Sequence, residues 1–292
     1  MDQLVFKSDT AAQTIQKYFV AIKIDKKHTE SNTLKSRYNV RGYPTIIVAN
    51  DNGDEIDRVL GFDGDGVKFL QTIVDYANGK NTLAALNQQL TSSPDDIDLN
   101  YRIAQKYDDR YEFEKAGKYF EAVLKLDPKD AKGYNNESKY ILAIYAIITD
   151  KNFQPLESFL QKTDNHEYLL DGYSTLANQY AKIKQFDNAV AAYEKAMQKL
   201  PDNARLMNGY AWFVFEKELK NNYQHAIAVA RKAVKLETKA AYIRDTLAQL
   251  LHANIQQDEA IAEMRKAAET APNDKYYQEM LDKYLKSGKA SK

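Results

Sequence analysis

Hydrophobic positions between Leu170 and Asn203 recur at helical spacing in two blocks. Tyr173, Leu176, Ala177 and Tyr180 share one face of a helix. Ala189, Tyr193 and Ala196 share one face of a second, and Pro201 closes it. Neither helix alone can hide its stripe, so the pattern predicts a hairpin that stacks on copies of itself.

The same spacing marks other segments. Residues 97–130 hold Ile103, Ala104 and Tyr107, then Ala116, Phe120 and Val123, and Pro94 and Pro128 stand 34 apart. Residues 131–169 form a degenerate copy: Tyr134 and Ile141 keep the pattern, Glu137 and Ser138 do not. Its second helix, Phe153 to Leu160, is expected to be interrupted at Pro155. Residues 204–240 carry Met207, Tyr210, Ala211 and Val214, extra residues around Leu219 to Asn222, then Ala226, Ala230 and Ala233. Residues 241–274 carry Leu247, Ala248, Leu251, Ala260, Met264, Ala267 and Pro272. A final helix, 275–286, is expected to cap the array, with Gly288 to Lys292 as a frayed tail.

The order large–Leu–small–Tyr, then Ala–aromatic–Ala, then Pro over 34 residues resembles the tetratricopeptide repeat (TPR). The resemblance implies an all-α solenoid over 97–286 whose first helices line a groove for a protein or peptide partner. The groove candidates it implies are Tyr101 and Gln105; Ser174, Asn178 and Lys182; Arg205, Asn208 and Trp212; and Tyr242, Asp245 and Gln249. Asn amides can pair with a peptide backbone, and Trp and Tyr can anchor an apolar side chain. The Lys and Asn arrangement of chaperone-tail clamps in this family is not reproduced, so that ligand is not assigned.

Residues 1–80 read differently. Ser8-Asp9 starts a helix, Phe19 to Asp25 is an apolar run expected to form a buried strand, and Glu30 to Asn39 is helical. Ile46 to Ala49 and Glu55 to Leu60 are expected as antiparallel strands about an Asn52-Gly53 turn. Asp63-Gly-Asp-Gly66 breaks the chain before a helix over Val67 to Ala77. Asp63-x-Asp65 also starts like a calcium loop, but Val67 and Lys68 stand where oxygen ligands and a glycine are needed, so a turn with a helix cap is expected.

This order, with the run Tyr38-Asn-Val-Arg-Gly-Tyr-Pro-Thr45, resembles the later part of a thioredoxin-like domain. Val5 to Asp9 together with Phe19 to Asp25 looks like the segment after that family's redox motif. The resemblance implies a cis Tyr43–Pro44 bond and a substrate loop of Tyr43, Pro44 and Thr45. The family's Cys-x-x-Cys and the strand before it are absent. Either the domain is degenerate and redox-inactive, or the chain is a fragment of a thiol-disulfide oxidoreductase or redox-folding protein whose cysteines lie upstream of Met1. The expected fold is thus an α/β partial thioredoxin-like domain at 1–80, a connecting helix at 81–96 and the TPR array at 97–286.

Composition narrows the chemistry. Forty-one basic residues balance 41 acidic ones, so no charge footprint points to nucleic acid. No apolar run reaches the length of a membrane span. Met1 to Leu4 does not look like an export signal; the sequence reads as cytoplasmic as given, or as periplasmic or exported if an upstream signal belongs to it. With no cysteine there is no disulfide or thiolate site. His28, His166, His225 and His252 are scattered, and no phosphate-cradling or nucleophile motif occurs. No metal, cofactor or catalytic residue is assigned. The reading is a protein-interaction module, and enzymatic activity is left open only for a longer parent.

Overall fold

A computed structural model describes residues 9–25 and 27–290. The resemblance residues Val5 to Ser8, including Ser8 of the first expected helix start, lie outside the described residues, as do the last two of the tail. The chain forms two compact units, Met1–Asp150 and Lys151–Lys292. The division falls between Asp150 and Lys151, inside the expected array.

In the first unit α1 (Asp9–Tyr18) packs on α3 (Gly66–Ala77), which covers the hairpin of β1 (Thr45–Ala49) and β2 (Glu55–Leu60). The strands are antiparallel, pairing Thr45 with Leu60 and Val48 with Asp57. Asn50 tightens the turn: its Oδ1 accepts from the N–H groups of Asn52 and Asp54. Gly53 takes φ +76°, and a Cβ there would stand 2.9 Å from the Arg37 guanidinium. Ala11, Ile15, Val48, Phe69, Ile73 and Tyr76 form the small core. Asp65 caps α3 by accepting from Val67 and Lys68 N–H. The Tyr43–Pro44 bond is cis.

Phe19 to Asp25 is not a strand. Two strands are the whole sheet among the described residues, and this stretch belongs to neither. Val20 is 92% and Ile22 77% exposed. Within the apolar run that predicts burial, Phe19 packs against the small core and Ile24 is half-buried, but Val20 and Ile22 are bare.

Helix α2 (Ser31–Arg37) precedes β1, and α4 (Leu83–Ser92) joins α3 to the first hairpin, α5 (Ile97–Asp108) and α6 (Phe113–Leu126). Segment 81–96 does not act as a loose joint. Beneath it, Asp57 on β2 is fully buried and accepts from the Arg58 N–H at 2.8 Å and from three donors further along the chain. They are Lys106 Nζ at 2.7 Å, Arg110 Nη2 at 2.9 Å and the Leu83 N–H at 2.8 Å. Arg58 pairs with Glu55 and donates to the Tyr38 and Asp109 carbonyls. One ion network thus ties the sheet to α4 and α5. Burial raises the Asp57 carboxyl, but Lys106 and Arg110 outweigh it and hold the group below its ordinary value. Asp109 behaves oppositely: burial, with Asp108 beside it, pushes it to about 6.

In the first hairpin Tyr101, Ala104, Ala116, Phe120 and Val123 bury together with Tyr145 of α7 (Asn135–Asp150). The second unit begins with α8 (Gln154–Lys162). Pro155 sits in its first turn, so it starts this helix rather than interrupting it; the N–H it lacks has no intrahelical partner there. Next come α9 (His166–Lys182) with α10 (Phe186–Lys199) and α11 (Ala204–Glu216) with α12 (Tyr223–Leu236). They are followed by α13 (Ala241–Ala253) with α14 (Gln257–Thr270), and by α15 (Lys275–Ala290). The extra residues of 204–240 form a short 3-10 turn, Lys220–Asn222. The tail expected to fray from Gly288 continues α15 to Ala290.

The helices of a hairpin are joined by one recurring turn. Tyr111, Lys184, Glu218 and Ile255 take left-handed φ between 52° and 63°. The N–H after each bonds back across the turn: Glu112 to Tyr107, Gln185 to Tyr180, Leu219 to Val214, and Gln256 to Leu251. Small residues let the helices close up. Ala189, Ala196, Ala226, Ala230, Ala260 and Ala267 have no exposed surface. Among the described residues no helix is long and apolar enough to cross a membrane.

Candidate functional site

The expected groove residues of the second unit lie on α9, α11 and α13, the first helix of each of its three hairpins. Asn165 caps α9 through Glu167 and Tyr168 N–H, and Asn203 caps α11 through Leu206 N–H, so each helix starts at a fixed residue. With the start fixed, the buried stripe sets what faces outward. On α11, Leu206, Met207, Tyr210, Ala211, Phe213 and Val214 are buried, which turns Arg205, Asn208 and Trp212 to the other side. On α13 nearly every residue from Ala241 to Leu251 is buried, Asp245 and Gln249 included, while Tyr242 is exposed; α11 packs directly on α13.

Six of the expected groove residues therefore lie on these two neighbouring helices: Arg205, Asn208 and Trp212 on α11, Tyr242, Asp245 and Gln249 on α13. Trp212 is 40% and Tyr242 43% exposed, each a large ring left in solvent. Trp212 leans on Phe215, with ring centroids 5.5 Å apart. The Asn208 Oδ1 atom is buried and accepts no hydrogen bond. Such an orphaned acceptor is uncommon, because leaving it unpaired costs about 1–3 kcal/mol.

Gln249 is not free in the same way. It is buried, and its Nε2 donates to both Asp245 oxygens at 3.0 Å and meets the Tyr276 hydroxyl at 3.2 Å. Tyr276 belongs to α15, which the sequence pattern marks only as a cap. Yet it stands 34 residues after Tyr242, so the repeat period itself places it on this face. Asn178 and Lys182 of α9 are exposed or nearly so, and Ser174 is half-buried.

In the first unit Tyr101 is a packing residue rather than an open groove wall. It is buried, stacked on Tyr134 at 3.9 Å with ring planes 1° apart, and meets Phe120 edge-on. Gln105 is half-buried. In the loop of Tyr43, Pro44 and Thr45, the Pro44 carbonyl accepts from Gly61 N–H, and the Thr45 hydroxyl donates to the Gly42 carbonyl at 2.8 Å. Tyr43 is 53% exposed, with the Lys35 ammonium 5.2 Å from its ring. A cleft of about 710 Å³ opens beside Glu55, Arg58 and Arg110, but these charges are committed to one another and to Asp57. No group of three or more His, Cys, Asp or Glu fit to hold a metal occurs among the described residues.

The tetratricopeptide-repeat family matches residues 97–130 and 170–198, so the chain carries tetratricopeptide repeats there. No curated protein matches the sequence. Among solved structures, MamA is 18% identical, covering 62% of this chain and 94% of that one, with a TM-score of 0.46. YrrB, described as a TPR protein with an unusual peptide-binding site, is 14% identical over 70% of this chain and 98% of its own, with a TM-score of 0.46. A thermophilic TPR protein of Thermus thermophilus, TTC0263, is 22% identical over 65% and 99%, with a TM-score of 0.37.

Proposed function

We propose that this protein is an interaction module whose second unit holds an extended segment of a partner protein along the α9, α11 and α13 face. One observation carries the reading: the buried, unpaired Asn208 amide oxygen lies one helical turn before the exposed ring of Trp212. An apolar side chain of a bound segment would cover the ring, and the Asn208 amide, turned outward on binding, would accept from a backbone N–H of the same segment. Asn178, Lys182 and Tyr242 extend the contact to either side, and the half-buried Gln105 is proposed for a similar role on the first hairpin, with Tyr101 packed behind it. Selection of a displayed library of random 12-residue peptides on the intact protein tests this. Enriched peptides should lose about tenfold in affinity on Trp212→Ala and on Asn208→Ala. Enrichment unaffected by both substitutions would remove the proposal.

In the same reading, residues 9–80 are a thioredoxin-like remnant built around the Tyr43, Pro44 and Thr45 loop, held to the repeats and without thiol chemistry of its own. A second reading, that the parent protein is a thiol-disulfide oxidoreductase, is favoured by the exposed apolar side chains of Val20 and Ile22, which a neighbouring strand would cover. Insulin-disulfide reduction by a protein extended upstream of Met1 checks it, and an inert extended protein argues against it.

A further inference from the structure

We infer that the face shared by α13 and α15 holds a subsite for a cationic side chain, a lysine or arginine of the bound segment, received by Asp245 beside the rings of Tyr242 and Tyr276. This rests on the groove reading above and names what the groove selects.

Asp245 carries a charge that has no counter-ion. It is 8% exposed, and the donors to its carboxylate are neutral: Gln249 Nε2 at 3.0 Å to each oxygen and Tyr276 OH at 3.3 Å. Among the described residues no lysine, arginine or histidine pairs with it. The adjacent Arg244 turns away, its Nη1 2.7 Å from Glu263 and its Nη2 donating to the Thr238 carbonyl. Buried carboxylates are normally matched by a cation, because neutral hydrogen bonds do not cancel the charge. Burial raises the Asp245 carboxyl above its ordinary value, and the two hydrogen bonds offset only part of this. Its charge reaches the neighbouring phenols as well: Tyr276 is pushed up to about 12 by burial and by Asp245.

The surroundings suit a cation. Tyr242 and Tyr276 are 43% and 44% exposed: the Tyr276 hydroxyl meets the carboxylate, and Tyr242 stands three residues before Asp245 on α13 with its hydroxyl 3.5 Å from Glu237. Aromatic faces attract ammonium and guanidinium groups, and a shared carboxylate strengthens the pull. On α11 the place equivalent to Asp245, the fifth residue of the helix, is taken by the neutral Asn208. The charge is therefore local to one hairpin, one repeat along from Trp212. That fixes a spacing: an apolar residue over Trp212 and a basic residue further toward α15.

The peptide selection separates this from a purely structural role for Asp245 in docking α15. Peptides enriched on the wild-type protein should carry a lysine or arginine to one side of an apolar residue. Replacing that arginine by citrulline, or that lysine by norleucine, should weaken a labelled peptide at least tenfold in fluorescence anisotropy. The same replacement should change nothing on Asp245→Asn, which keeps an acceptor for Tyr276 but no charge. Trp212-dependent peptides with no excess of basic residues would overturn the inference and leave the groove standing. So would an equal effect of citrulline or norleucine on both proteins. Should Asp245→Asn fail to fold, the comparison on the wild-type protein still decides, because equal binding of the charged and neutral peptides overturns the inference. Peptides indifferent to Trp212→Ala and Asn208→Ala would instead bring down the groove reading, and this inference with it.

Discussion

Ile255 closes the turn between α13 and α14 at φ +63° with 92% of its surface in solvent. A β-branched side chain in the left-handed region crowds its own backbone, at a cost of roughly 1–2 kcal/mol. Here nothing offsets that cost, because the side chain touches too little to gain burial energy. The turn demands the conformation regardless, since Gln256 N–H must reach the Leu251 carbonyl. Ile255→Gly is therefore expected to stabilise the protein by about 0.5–1 kcal/mol, after subtracting the extra chain entropy of glycine. Urea unfolding followed by circular dichroism would show a higher midpoint at unchanged slope. A lower midpoint would mean that Ile255 makes a contact its exposure conceals.

Between elements, the decisive quantity is how closely two helices approach. Gly172 on α9 faces Leu160 on α8, and a Cβ built on Gly172 would stand 2.6 Å from Leu160 Cδ2 and 3.1 Å from Cδ1. Leu160 has no exposed surface, so it has nowhere to swing. Gly172→Ala should cost about 1–3 kcal/mol although alanine is the better helix former. Adding Leu160→Ala, itself costly, should make the second change nearly neutral, because the clash has gone. A thermal-melt double-mutant cycle measures this, and additive losses would show that the helices simply move apart. The repeats are legible in the sequence for a related reason. Alanines at helical spacing, as at Ala189 and Ala196, mark where a neighbour comes close, and the 34-residue period shows that the contact recurs. Pro155 misleads because its position relative to the helix start is not visible in the sequence; one residue inside the first turn, it begins what its chemistry suggests it should break. Tyr276 escapes notice when the period is followed only as far as residue 274, although the same step of 34 from Tyr242 reaches it.

At the scale of the whole first unit, charge placement decides what hydrophobic patterning cannot. Phe19 to Asp25 has the composition of a buried strand, yet burial needs a neighbour, and composition carries no information about neighbours. Conversely, Asp57 and Arg58 on β2 and Lys106 and Arg110 on and just after α5 look like four ordinary surface charges in the sequence. Folding brings them into one network, and the boundary expected at 81–96 becomes an interface. The network should behave as a unit. Asp57→Asn removes the charge that faces both Lys106 and Arg110 and should cost about 3–5 kcal/mol. Asp57→Asn with Lys106→Met should cost less than the sum of the two single changes, since Asp57→Asn alone leaves the Lys106 ammonium facing a neutral amide, a cost that Lys106→Met removes, while Arg110 keeps Glu55. The acid limb follows from the sign of the shift. Asp57 is held below its unfolded value, so its contribution is complete above about pH 4 and is lost as the pH falls through its folded value. Asp109, pushed to about 6, works the other way, taking up a proton in the folded state first and adding stability as the pH falls from about 6 towards 4. Unfolding measured from pH 7 to pH 3 should thus show a shallow gain before the acid loss. Asp57→Asn should abolish the loss that Asp57 causes while keeping the gain that Asp109 causes. An acid limb unchanged by Asp57→Asn would mean that the pairs around Asp57 do not bind the sheet to the first hairpin.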